Sequence, residues 1–272
     1  MGQHPIGSVL TAAWPWPATE MPRWRAMLVR ELEGAAPDAD QERRDRVRLW
    51  LRSAELFYVT PDMTATALDG SLDLPPWIPA AVMPAPVGLL VWAGDLPPFR
   101  IRGHAARAVR GMLWVTHGGQ LHLHPLLEHD QRVEMTEIKP VDAADEVQPG
   151  RDGGDAAGVA FLTGATWIMM QQPTVAAPRA VNGAADSSRL MRQLPRRVTV
   201  IDLRPMRNVH VDHDPDHPGR VYAHRWIVRG HWRDQAHGPG RTERKRIWVP
   251  SHTKGPDGAP LLAKEHVNVW RR

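Results

Sequence analysis

"GMLWVTHGGQLHLHPL", residues 111–126, carries two arms of alternating side chains around His117-Gly118-Gly119. Alternation at period two predicts strands, and a Gly-Gly centre predicts the tight turn that joins them as a hairpin. Upstream, "VGLLVWAG" (87–94) is a short apolar strand. Downstream, "DAADEVQPGRDGGDAAG" (142–158) reads as an acidic, Gly-rich loop, and "VAFLTGATWIMMQQP" (159–173) is apolar nearly all round, a buried helix ended by Pro173. Further out, "PRWRAMLVRELEG" (22–34) predicts a helix ended by Gly34. "DQERRDRVRLWLRSAELFYVT" (40–60) predicts the clearest helix of the chain: Asp40 caps it, and Val47, Trp50, Leu51, Ala54 and Phe57-Tyr58 form an apolar stripe. Pro61 and Asp62 stop that helix. The Pro-rich run that follows, through "LPPWIPAAVMPAPVG", excludes regular helix and central strand.

After Pro173 the character changes. "TVAAPRAVNGAADSS" (174–188) predicts a linker. Four strand candidates follow: "RRVTVIDLR" (196–204), "VYAHRWIVRGHWR" (221–233), "RKRIWVP" (244–250) and "HVNVW" (266–270). The expected fold class is α+β, with a mixed α/β acidic domain over 1–173 and a β-rich basic domain over 189–272. Charge supports that division. Residues 189–272 hold 18 Lys+Arg against 8 Asp+Glu, while the remainder holds 16 against 22. A basic module on an acidic body fits a phosphate-rich partner; the alternative is that the two parts attract each other.

Composition excludes several classes. With no Cys there are no disulfides, thiolate metal sites, Fe–S clusters or cysteine nucleophiles. No apolar run is long enough for a membrane helix, the start lacks the basic and apolar regions of a signal peptide, and Ile6 stands where a myristoylation motif wants Ser or Thr. The expected location is the cytoplasm, with no membrane partner. GxGxxG, GxSxG, HExxH, Walker and kinase signatures are missing, so no cofactor is expected.

The candidate site lies in "YAHRWIVRGHWRDQAHGPGRTERKRIW" (222–248), where seven Arg or Lys, three His and three Trp crowd together. Read as one strand, it puts Tyr222, His224, Trp226 and Val228 on one face and Arg225, Ile227, Arg229, His231 and Arg233 on the other. Gly230 is a place for a bulge that re-aims His231. "DQAHGPGR" turns the chain back, with Arg241 at its end, and Arg244, Arg246 and Trp248 share one parity of the returning strand. Arg225, Arg229, Arg233, Arg241, Arg244 and Arg246 would contact phosphates, and Trp226, Trp232 and Trp248 would stack bases. The alternative is a solvated strand face. Metal-independent RNA cleavage needs an acid, a base and cations for the developing charge. His231, His224, His237, His252 and Lys254 supply the titrating groups and the last cation. Alternation separates His224 from His231, so the expected pair is His231 with His252 or His237.

Two other His-bearing segments have simpler readings. "HVDHDPDH" (210–217) is rich in metal-ligand types, but Pro215 and Pro218 interrupt it, so a polar loop is favoured over a metal site. In "HGGQLHLH", His122 and His124 fall on one strand face and can chelate a metal, but an edge strand with polar outer residues is the simpler expectation. No metal is assigned. Trp50, Trp92, Trp114 and Trp167 sit in apolar patterns and are expected in the core.

"ELFYVTPDMTATALDGSLDLP…MPAPVGLLVW" and "HRWIVRGHWRDQAHGPGR…RIWVPSHTKGPDGAPLL" together resemble a family of uncharacterised proteins from high-GC bacteria and their phages and plasmids. The C-terminal signature is an Arg-Gly-His-Trp-Arg core followed by a Lys-Gly-Pro turn. The resemblance implies a mobile-element setting and marks Arg229, Gly230, His231, Trp232, Arg233 and Lys254; it supplies no reaction. The preferred reading is a protein acting on RNA or DNA, in its sharpest form a toxin-like, metal-independent ribonuclease. The alternatives are a non-catalytic nucleic-acid-binding module, or an interaction protein whose basic surface docks on an antitoxin-like partner or on its own subunit.

Overall fold

A computed structural model describes residues 7–10, 17–34, 40–101, 105–129, 132–148, 156–184, 188–204, 225–254 and 261–262. The chain divides into two units, Met1–Arg204 and Pro205–Arg272. The first runs β1 (Gly7–Leu10), α1 (Met21–Gly34), α2 (Gln41–Ser53), β2 (Glu55–Val59), α3 (Pro61–Leu72), α4 (Pro79–Val82), β3 (Val87–Trp92), β4 (Pro98–Phe99), β5 (Arg107–His117), β6 (Gln120–His129), β7 (Arg132–Met135), β8 (Ile138–Asp142), α5 (Ala156–Met170), β9 (Ala176–Asn182), α6 (Arg189–Gln193) and β10 (Arg197–Leu203). Helices and one large mixed sheet make the fold α+β.

The sheet grows from the hairpin. Gly118 and Gly119 both take positive φ (58° and 80°), as a two-residue type I′ turn requires, and β5 pairs with β6 from His117↔Gln120 inward. The strand order is β1-β7-β6-β5-β3-β2-β10-β9. β2, β3 and β10 are mutually parallel, and the other pairings are antiparallel. β7 and β8 share the outer side of β6: β7 pairs with its second half, from Leu126 to His129, and β8 with its first, from Gln120 to Leu123. Thr136 and Glu137 form the corner between them.

Alternation sends successive residues of β5 into different layers. Leu113 joins Leu89, Leu56 and Val198 under Trp24 and Leu28 of α1 and Val47 and Leu51 of α2. Trp114 turns to the opposite face, where its ring lies 5.0 Å from that of Trp167 on α5, and its Nε1 donates to Ala85 O at 2.8 Å. Trp92 donates to Thr166 Oγ1 of the same helix at 3.1 Å. Trp92, Trp114 and Trp167 are fully buried and Trp50 is half-buried against the α1/α2 layer. Arg25 of α1 is also fully buried and donates to the carbonyls of Ala54 and Pro195. Desolvation lowers its pKa to about 10.

Several sequence expectations change here. The helix expected over 40–60 ends at Ser53. Ala54 turns extended (φ −60°, ψ 131°) and Glu55–Val59 becomes a strand between β3 and β10. Its aromatic and β-branched residues fit a strand buried on both faces as well as they extend a helical stripe. Pro61 starts a helix, α3, at the position where a missing N–H costs nothing. Residues 176–182, inside the expected linker, form β9, paired with β10 over its whole length. No helix among the described residues is long and apolar enough to cross a membrane.

The second unit contains β11 (Arg225–Val228), β12 (His231–His237), β13 (Glu243–Val249), β14 (His252–Lys254) and β15 (Leu261–Leu262). β12 and β13 form an antiparallel hairpin, while β11 pairs with β14 and β15 in a separate sheet. The single strand expected over 221–233 is therefore two strands, broken at Arg229-Gly230. A Cβ on Gly230 would stand 2.4 Å from the Trp248 ring, so the chain crosses that indole closely only because it is glycine. The strand expected over 266–270 lies outside the described residues.

Candidate functional site

Register fixes the faces of the β12–β13 hairpin, because directly opposed residues of an antiparallel pair share a face. His231 opposes Val249, Arg233 opposes Ile247, Gln235 opposes Lys245 and His237 opposes Glu243 on one side. Trp232 opposes Trp248, Asp234 opposes Arg246 and Ala236 opposes Arg244 on the other. Alternation within the hairpin thus divides the cations. Arg233 and Lys245 accompany His231, while Arg244 and Arg246 accompany the Trp pair.

Arg229, Arg233, Arg241, Arg244, Lys245 and Lys254 are exposed. The two acids of this stretch face bases: Asp234 meets Arg246 Nε at 3.1 Å, and Glu243 meets His237 Nδ1 at 3.2 Å. At the hairpin tip Arg241 has φ 57°, a left-handed conformation that costs a non-glycine residue about 1 kcal/mol. Trp248 is 3% exposed, with its ring against Trp232 (5.1 Å between centroids) and Gly230. Its expected role as a stacking surface is corrected: it is core, and the half-buried Trp232 is the aromatic nearer to solvent. Nothing is described for the side chains of Arg225 and Trp226, and His224 and the 210–217 loop lie outside the described residues.

The histidines expected to work together have separate neighbours. His231 is exposed, with Nδ1 3.4 Å from Arg229 O. His252 Nδ1 lies 3.2 Å from Pro250 O, on a strand that opposes Val228 rather than the hairpin. His237 sits beside Glu243. Six residues of strand place His231 and His237 roughly 20 Å apart, too far to serve one phosphate.

The first unit holds a denser cluster than the sequence suggested. β6 is not an edge strand, so the polar-outer-face reading of His122 and His124 does not hold. Both point toward α2, and His124 is 0% exposed. The Trp50 ring lies 5.7 Å from each and 6.3 Å from the exposed His117. Glu137, at the β7–β8 corner, places Oε1 3.2 Å from His122 Nδ1 and Oε2 3.2 Å from Arg43 Nη2. One ligand atom from each of His122, His124 and Glu137 falls within 4.8 Å of the others. Neither ring nitrogen of His124 makes a hydrogen bond of normal geometry. Burial lowers its pKa to about 4, with the opposing pull of Glu137 the next largest influence and smaller ones from Arg43, His122 and the Thr136 backbone. Same-strand spacing could flag His122 and His124; Glu137, Arg43 and Trp50 carry no local signal, because two other segments, the β7–β8 corner and α2, bring them in.

No family model and no curated protein matches this chain. A solved structure titled "Crystal structure of AcrVA2" is similar over 87% of this chain and 86% of that one, at 14% identity and a TM-score of 0.39. A likeness this distant carries no functional argument.

Proposed function

We propose that the chain binds nucleic acid through a basic C-terminal module built on the β12–β13 hairpin. The observation that carries this reading is the surplus of exposed cations. Residues 225–254 hold eight Lys or Arg and two acids, and six of those cations are exposed. Concentrated positive charge of this kind gains affinity for phosphates by releasing counterions. An arginine kept in a left-handed conformation at the tip is a local cost of the sort found at functional sites. The signature residues Arg229–Arg233 and Lys254 fall in the same unit, and the mobile-element setting of the family they resemble is the context we propose for it.

The ribonuclease form needs two titrating groups at one phosphate. His231 and His237 are too far apart for that, so the ribonuclease form rests on His231 with His252 or His224. Anisotropy titrations of labelled single-stranded RNA and duplex DNA, in EDTA and across a salt series, test the reading. The expected result is affinity that falls linearly with log salt. Arg244→Ala/Lys245→Ala should flatten the duplex slope by about 2. No binding at moderate salt would sink the proposal and turn the hairpin into a protein-docking surface. Fragmentation of the RNA by wild type but not by His231→Ala would extend the reading to catalysis.

A further inference from the structure

We propose that His122, His124 and Glu137 form a binding site for a divalent transition-metal ion, with zinc the ion that best fits the donor set. Two imidazoles and one carboxylate are the ligands of open zinc sites, where the fourth position is left to water. Zinc at its usual bond lengths of 2.0–2.1 Å holds tetrahedral ligands about 3.3 Å apart. His122 Nδ1 and Glu137 Oε1 already stand 3.2 Å apart, and one ligand atom from each of the three residues lies within 4.8 Å of the others. A small side-chain contraction closes this triangle. The ion would take the place of the direct His122–Glu137 contact.

The surroundings supply the two supports such a site needs. The first is an unused ligand. His124 is fully buried; the Thr136 backbone approaches its ring without a hydrogen bond of normal geometry, and neither nitrogen has another hydrogen-bond partner. Buried polar atoms are almost always satisfied, and a bound cation would satisfy one of these. The second is orientation. Arg43 forms an ion pair with Oε2 of Glu137, without a hydrogen bond of normal geometry, while Oε1 faces His122; outer partners help to orient ligating carboxylates. Trp50 packs against both imidazoles and limits their rotation. The backbone explains the assembly. His122 and His124 sit on β6 where its partner changes from β8 to β7, and Glu137 occupies the corner between those two strands. Arg43 weakens the site relative to a bare His₂Glu set by placing a like charge near the ion.

The test is a Co²⁺ titration of the chelator-treated full chain, read by the visible absorption of low-coordinate cobalt and by competition with Zn²⁺. The expected result is one ion per chain, displaced by Zn²⁺, with a higher melting temperature in either metal. Glu137→Gln and His122→Asn alter half-buried side chains and should keep the far-ultraviolet circular dichroism of the wild type. Each should weaken binding at least about tenfold. His124→Asn is secondary, because it disturbs the core. Absence of stoichiometric cobalt bands would overturn the proposal. So would binding that Glu137→Gln and His122→Asn leave unchanged, which would place the ion on other ligands such as His210, His213 and His217.

Discussion

The two units use the same residue types in opposite ways. In the first, Trp92, Trp114 and Trp167 are sealed between sheet and helix, Arg25 is fully buried on carbonyl oxygens, and His124 has no exposure. In the second, among the described residues, Trp232 packs on the buried Trp248, while six Arg or Lys side chains stand in solvent. Arg, His and Trp counts therefore say little by themselves. Their neighbours along the chain decide: apolar residues at helix or strand spacing draw them in, while further charges and glycines leave them out. Stability should depend mainly on burial in the first unit, and salt-dependent affinity on surface charge in the second.

The largest expected effect tests the first half of that contrast. Trp114→Ala removes a fully buried indole that touches Trp167 and Phe57 and donates to Ala85 O. Loss of its packing, with a cavity left behind, should cost about 4 kcal/mol. Urea denaturation followed by circular dichroism would read this as a lower midpoint for the first unit. A loss under about 1 kcal/mol would mean that the sheet–helix layer is loosely packed, and the contrast would fail.

A smaller effect tests whether the second unit has any core to lose. Gly230→Ala would push a methyl group to 2.4 Å from Trp248 Cζ2. Overpacking of this kind costs about 1–3 kcal/mol. Hydrogen exchange should show faster opening of the β12–β13 amides and no change in the amides of β5 and β6. Unchanged exchange throughout would mean that the Trp232–Trp248 pair does not hold the hairpin.

The sequence revealed the parts of this picture whose signals are local. The Gly118-Gly119 hairpin, the apolar strand at 87–92 and the buried helix α5 all appear where their patterns lie. Three features needed distant neighbours. Glu55–Val59 continues the apolar stripe of α2, and only pairing with both β3 and β10 makes it a strand. Pro61 looks like a stop signal, but after a strand it is the first residue of a helix. Ala176–Asn182 is small and polar enough to read as a linker until β10 is available to pair with it. The candidate sites divide in the same way. Basic character in the second unit is readable from charge counts and the parity of Arg244, Arg246 and Trp248 from alternation, but the break at Gly230 that ends β11 before β12 depends on Trp248, eighteen residues further on. His122 and His124 are visible by spacing, and Glu137 joins them only because β7 and β8 turn a corner beside β6.

The smallest expected effect sharpens the comparison most, because it separates stability from affinity in one residue. Asp234 and Arg246 form an ion pair on the hairpin with side chains 55% and 30% exposed. Such pairs contribute little, so Asp234→Asn should change stability by no more than about 0.5 kcal/mol. The same substitution removes one of the two acids from the basic stretch and with it the carboxylate that faces Arg246. Affinity for RNA should rise roughly two- to fivefold at low salt, a gain on the scale of one exposed charge interaction in water. The gain should fade above about 0.15 M salt, where screening shortens to about 8 Å. Weaker binding at unchanged stability would assign Asp234 a positioning role for Arg246. The hairpin would then work by fixed geometry rather than by summed charge.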